Sequence, residues 1–275
     1  MRFTLLALLV LKLTSTLFAG PGDIIRSQSI SGQPENGIRG LARDWDTDRL
    51  WVAGPEDGYY VMYTSLDIET LAPDAWKTAD GSQYWVFDIG YGYDTGGTKC
   101  LLMNDQQSPF TKLIDPSDGS SLGNLPDYYS AADFTDGCAV DADGGRVYLS
   151  SHGSPEVVFY DGATYTLFGT ISGAKNMGAA VGWDHVFIIR TDPYYTIEVY
   201  DQGGDFVESI PLNGWSSGNY VMGLACGRED VSGDSESLFF ADFITGQVHE
   251  VEVGDYTGTS LQQTTWGGIK AGFDY

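Results

Sequence analysis

His152 is the side chain in this sequence best suited to moving a proton, because it lies in a Ser-Ser-His-Gly-Ser loop with Asp133 and Asp136 upstream. An imidazole beside carboxylates is the common general base near neutral pH. His185, in a turn, and His249, in an alternating strand, read as structural. No hydroxyl or thiol is spaced to act as a nucleophile for His152. Glycine-rich phosphate loops, clustered Cys/His zinc ligands and a Gly-x-Ser-x-Gly elbow are missing from the sequence. Asp105, Asp133, Asp192 and Asp242 can be paired as glycosidase carboxylates, but among 38 acidic residues such pairings arise by number alone. No catalytic residue is assigned.

Binding chemistry is better represented. Asn36, Asp133 and Asn219 each stand four residues before a strand-opening glycine, and Asn176 stands two before another. Oxygen-bearing side chains recurring at one place in a repeat can converge on Ca²⁺ or a polar ligand. The same residues also favour turns, where they bond their own backbone. Asp44-Trp45-Asp46-Thr47-Asp48 alternates acids as a calcium loop does, but lacks the glycine at position six and the distal glutamate. It reads, like Asp141-Ala142-Asp143-Gly144, as a hairpin turn. Doubled tyrosines recur at Tyr59-Tyr60, Tyr128-Tyr129 and Tyr194-Tyr195. Tyr60, Tyr129 and Tyr195, with Trp215 and His152, are therefore candidate contacts for sugars or peptide side chains, since an exposed ring offers apolar area with a polar tip.

The elements that must hold these residues are short strands in a repeat. Gly137-Cys138-Ala139-Val140-Asp141 leads through Asp143-Gly144-Gly145 into Arg146-Val147-Tyr148-Leu149-Ser150, and Gly40 to Ala53 matches it nearly position for position. Further copies start at Gly178 and Gly223, and a degenerate one runs from Tyr84 to Asp88. The starts fall at about 40, 87, 137, 178 and 223, a period of 41 to 50 residues, which predicts four-stranded propeller blades. The reading is an all-β propeller of five four-stranded blades, with six as the alternative count. Gly22 to Ile30 resembles the strand from Gly204 to Ile210 that precedes the last copy, and the last copy lacks such a strand. The N-terminal strand is therefore expected to complete the final blade, which removes two open sheet edges.

Three segments follow. Residues 1–19 read as a signal peptide, with Arg2, an apolar run from Leu5 to Leu11, and Ala19 at the cleavage site. Residues 20–253 form the propeller, and 254–275 a C-terminal tail. No apolar run in the mature chain is long enough for a transmembrane helix. The expected location is outside the cytoplasm, secreted or periplasmic, with attachment to the cell surface if the tail is a sorting signal. A net charge of −24 repels nucleic acid and anionic lipid and attracts cations. Three cysteines cannot complete a disulfide framework. A Cys100–Cys138 bond is conceivable, but apolar neighbours favour buried free thiols.

The pattern Gly-(Leu/Cys)-Ala-x-Asp followed by Arg-(Leu/Val)-(Trp/Tyr)-(Val/Leu)-(Ala/Ser), clearest at Gly40 and Gly137, resembles the secreted bacterial β-propellers of the NHL/YncE-like and gluconolactonase-like group. The tail Thr264-Thr265-Trp266-Gly267-Gly268-Ile269-Lys270-Ala271 is similar to a terminal motif of some exported bacterial proteins. The resemblance implies architecture rather than activity. Gluconolactonase-like enzymes start an inner strand with Glu-Gly-Pro, whose Glu holds a divalent metal. Here Arg39-Gly40-Leu41 stands in that place, so that activity is not carried over. The function expected is a non-catalytic binding propeller offering a channel-mouth face to a glycan, peptide or protein. The alternatives are a divalent-metal hydrolase or lactonase at the channel, and a surface-layer or adhesion component.

Overall fold

The computed structural model describes residues 19–56, 60–80, 86–93, 97–105, 110–129, 133–141, 145–171, 176–191, 195–215, 220–229, 231 and 235–256. After β1 (Ile24–Ser29) the chain lays down one antiparallel sheet after another. Blade 1 is β2 (Gly40–Asp44), β3 (Arg49–Glu56), β4 (Tyr60–Asp67) and β5 (Lys77–Thr78). Blade 2 is β6 (Val86–Tyr93), β7 (Lys99–Asp105), β8 (Thr111–Ile114) and β9 (Ser121–Asn124). Blade 3 is β10 (Gly137–Val140), β11 (Val147–Ser150), β12 (Glu156–Tyr160) and β13 (Tyr165–Thr170). Blade 4 is β14 (Asn176–Gly182), β15 (His185–Arg190), β16 (Thr196–Asp201) and β17 (Phe206–Pro211). Blade 5 joins β18 (Val221–Cys226), β19 (Glu236–Asp242) and β20 (Gln247–Gly254) to β1. The five-bladed ring and its closure by the N-terminal strand are as the repeat predicts.

Each blade packs face to face on the next, so both faces of a central strand are apolar. In β15, Phe187 and Ile189 enter the layer shared with blade 5, while Val186 and Ile188 enter the layer shared with blade 3. The period of two thus fills both layers and leaves an unbroken apolar run. One layer lies at each of the five blade–blade contacts.

Closure is reinforced around the buried carboxylate of Glu250 in β20. Arg228 grips it with two bonds of 2.7 and 3.0 Å, Ser237 Oγ donates at 2.7 Å, and Arg26 of β1 approaches to 2.9 Å. Arg26 also donates to the Ile68 carbonyl of blade 1 at 2.9 Å, which ties the first strand across to the neighbouring blade. Cys100, Cys138 and Cys226 are buried, and none of the three forms a disulfide. Among the described residues no helix is long and apolar enough to cross a membrane.

Candidate functional site

The innermost strands β2, β6, β10, β14 and β18 surround the axis, and at one level they nearly touch. Four of them carry glycine there: a Cβ on Gly40 would lie 2.8 Å from Ile89 N, one on Gly178 2.9 Å from Leu224 N, and one on Gly137 3.0 Å from Ala179 N. Gly223 completes the set, since a Cβ there would lie 2.2 Å from the Arg39 carbonyl oxygen. Blade 2 has Asp88 in the corresponding place, and the room left by the glycines admits its carboxylate. Oδ1 accepts from the backbone N–H of Leu41 (3.2 Å) and Ile89 (2.9 Å), Oδ2 from Cys138 (3.2 Å) and Ala179 (3.1 Å). One fully buried acid thereby joins the inner strands of blades 1, 2, 3 and 4 and plugs the channel. Burial pushes its pKa well above the usual carboxylate range, and the four N–H groups oppose that shift.

The plug divides the axis into a start face, where the inner strands begin, and an exit face, where they end. Arg39 fills the start side just above the plug. Its buried guanidinium lies 4.2 Å from the Phe243 ring centroid and 5.8 Å from that of Phe87, and burial lowers its pKa to about 10. Below the plug is a narrow neck of about 20 Å³. It opens on the exit face into a cavity of about 370 Å³.

Turn residues wall this cavity. In the β2–β3 turn, Asp44 Oδ1 accepts from Asp46 N (3.0 Å) and Thr47 N (3.3 Å), and Oδ2 from Thr47 Oγ1 (2.6 Å). That is the self-bonding of an Asx turn, as the sequence suggests. The turn aims Trp45 across the mouth to blade 4, where Gly182 has no Cβ to block it, and the Trp45 and Trp183 rings meet edge to face at 5.7 Å. Opposite, Lys99 is paired with Asp46 and stands 5.7 and 5.5 Å from the Tyr91 and Tyr93 ring centroids. The Asp46 hydrogen bond raises the Lys99 pKa, and burial raises that of Tyr91 to about 12.

The described residues among the binding and metal candidates lie on the start face or beneath it. Tyr60 is 55% exposed at the head of β4. Tyr129 is only 5% exposed, and its hydroxyl donates to the Leu149 and Glu156 carbonyls, so it packs blade 3; Tyr128 is the exposed member of that pair. Tyr195 and Trp215 are half-buried against the layer between blades 4 and 5, and Trp215 meets Phe240 edge to face at 5.0 Å. Asn36 is exposed in a turn and Asn176 is fully buried in β14, so these amides stand at different depths. Asp133 is half-buried near Gly153, and Asn219 and Asp192 lie outside the described residues. Among the described residues no three His, Cys, Asp or Glu side chains converge as metal ligands.

His152 does meet Asp136. Oδ2 of this buried carboxylate accepts from the His152 backbone N–H at 2.6 Å and lies 2.6 Å from Nδ1, while the imidazole is 30% exposed. Burial raises the Asp136 pKa and the histidine contacts oppose the rise. The exit-face cavity was not anticipated. Its signal was an aromatic residue just past the end of two inner strands, Trp45 after Asp44 and Trp183 after Gly182. Among the described residues, glycines and Arg39 close the start side of the axis, and the cavity lies on the exit side with Trp45 and Trp183 in its wall.

No family model matches this chain, and no curated protein matches it. Solved structures do. A glutaminyl cyclase of Myxococcus xanthus is similar with a TM-score of 0.56 and 13% identity, over 86% of this chain and 99% of that one. A nidogen/laminin complex contains a chain that is similar with a TM-score of 0.54 and 15% identity, over 78% of this chain and 76% of that one. At such identities the likeness defines the class as a β-propeller and extends no further.

Proposed function

We propose that the protein is a non-catalytic binding propeller of the cell exterior, holding a glycan, peptide or protein partner at the exit-face mouth of its axis. The supporting observation is the cavity of about 370 Å³, in which four blades contribute indoles, phenols and both signs of charge. Concave sites of mixed apolar and polar lining are where small ligands and partner side chains bind. The nidogen/laminin complex is an assembly in which a similar chain occurs, and this too supports partner binding. In this reading residues 1–19 direct export and residues 254–275 serve attachment. The full chain is titrated with glycan and peptide panels while indole fluorescence is followed. A ligand held by the wild type and weakened about tenfold or more by Trp183→Ala supports the site. Ligands that bind Trp183→Ala undiminished refute it.

The contact of His152 with the buried Asp136 supports a second reading, hydrolysis on the start face with His152 as base. Lactones and glycosides are the substrates to try. Turnover that survives His152→Ala removes this mechanism.

A further inference from the structure

The exit-face cavity contains a cation whose donors are only partly met among the described residues. Arg43, at the end of β2, lines both the cavity and the neck beneath it. Its side chain is 9% exposed, and its guanidinium lies 5.1 Å from the Trp45 ring centroid. One nitrogen, Nη2, reaches Asp48, whose side chain is 70% exposed, while among the described residues Nε and Nη1 are buried without a hydrogen-bond partner. Burial lowers the pKa of the group, consistent with a charge removed from water and only partly compensated. Two buried N–H donors on a cation are costly until lone pairs meet them. The neck, at about 20 Å³, admits one oxygen-sized group.

We propose that the cavity takes the end of a glycan that carries a carboxylate sugar, a uronic acid, with one carboxylate oxygen entering the neck beside Arg43 and the ring lying against Trp45, Trp183 and Tyr91. This rests on the binding function proposed above and specifies its ligand. A carboxylate oxygen is the strong acceptor for a guanidinium N–H, and with Nη2 turned to Asp48 the contact is made by one oxygen on one nitrogen. The indole and phenol rings supply apolar area for the C–H face of a sugar. At the rim Asp184 and Gln202, and deeper in the buried Asp141, provide acceptor oxygens for hydroxyl donors. That rim selects a ligand with one negative charge and many hydroxyls. A polyanion would meet Asp44 and Asp46 as well as the rim acids, and a peptide carboxylate brings few donors. The volume lies at the low end of the roughly 300–1,000 Å³ of small-ligand sites, which suits a terminal sugar better than a long chain.

The test uses the full chain, calorimetry and indole fluorescence. The probes are glucuronic and galacturonic acid, their methyl esters, glucose, galactose, and an N-acetylated amino acid as a carboxylate without hydroxyls. One of the two acids is expected to bind saturably, with its ester and the matching neutral sugar weaker by about tenfold or more. Arg43→Gln should lose the acid by a similar factor, and Arg43→Lys, which keeps the charge but not the planar guanidinium, should fall between. Comparing acid with ester on the unaltered chain needs no variant, so the proposal stays testable should Arg43→Gln fail to fold. Equal binding of acid and ester, or unchanged binding by a folded Arg43→Gln, overturns the anchor. Tighter binding of the N-acetylated amino acid overturns the sugar in favour of a peptide terminus. If neither uronic acid binds but another ligand binds in a Trp183-dependent way, this proposal fails and the binding function stands. If no binding depends on Trp183, both fail.

Discussion

Asp88→Asn probes the plug with the smallest change of shape. The carboxylate takes four backbone N–H groups at 2.9 to 3.2 Å, two on each oxygen. An amide keeps one oxygen and turns an NH₂ toward the other two donors. Each buried N–H left without an acceptor costs about 1–3 kcal/mol, so the loss is roughly 2–6 kcal/mol. For a chain of this size that lowers Tm by about 4–24 °C. The pH trend has a fixed sign. Burial raises the folded pKa above the usual 3.8, so the folded state holds this proton more tightly than the unfolded chain does. The stability from Asp88 is then fully present below pH 3.8 and is lost as pH rises toward the folded value. The gap between wild type and Asp88→Asn is therefore expected to be widest in acid and to narrow toward neutrality, read by calorimetric melts from pH 4 to 8. An Asn variant that melts with the wild type throughout, or a gap that widens with pH, refutes the account of the plug.

Gly223→Ala would set a Cβ 2.2 Å from the Arg39 carbonyl oxygen and 3.0 Å from Asp88 Oδ1. A loss of about 3 kcal/mol or more is expected in denaturant melts, and a loss below about 1 kcal/mol contradicts the close packing of the ring. Removing residues 20–31 should leave β20 as an open edge and produce oligomers by light scattering; a stable monomer would show that β1 does not close the ring. Burial raises Tyr63, Tyr91 and Tyr200 from 10.0 to about 12. The stability these phenols provide is complete below pH 10.0 and is lost as pH rises toward about 12, so the urea midpoint should be lower at pH 11.5 than at pH 9. An unchanged midpoint would contradict their burial.

What was legible in the sequence followed from local chemistry repeated. Gly40, Gly137, Gly178 and Gly223 mark the inner strands because the axis has no room for a side chain, and Asp44 predicts its own turn because its carboxylate bonds the next two amides but one. Asp88 was passed over because its copy lacks the glycine that identifies the others. Its meaning depends on four glycines in other blades, and no local pattern carries that. The Tyr128-Tyr129 pair lies beyond the end of β9, where no strand alternation says which ring turns inward, and packing chose Tyr129. Trp45 and Trp183 come together only because the ring closes, so the exit-face cavity was beyond a reading based on spacing.

Ring closure by β1 also imposes an order in time. Ser27 meets His249 at a separation of 222 residues, so the first described strand waits for the last. At about 5–20 residues per second of synthesis, that wait is roughly 10–40 s. A waiting strand is a hazard if it is apolar, and β1 after its two isoleucines reads Arg26-Ser27-Gln28-Ser29. Its polarity keeps it soluble while it has no partner. A chain cut short before β20 would retain both an unpaired first strand and an open ring, and so would expose its incompleteness to any protease that samples loose ends.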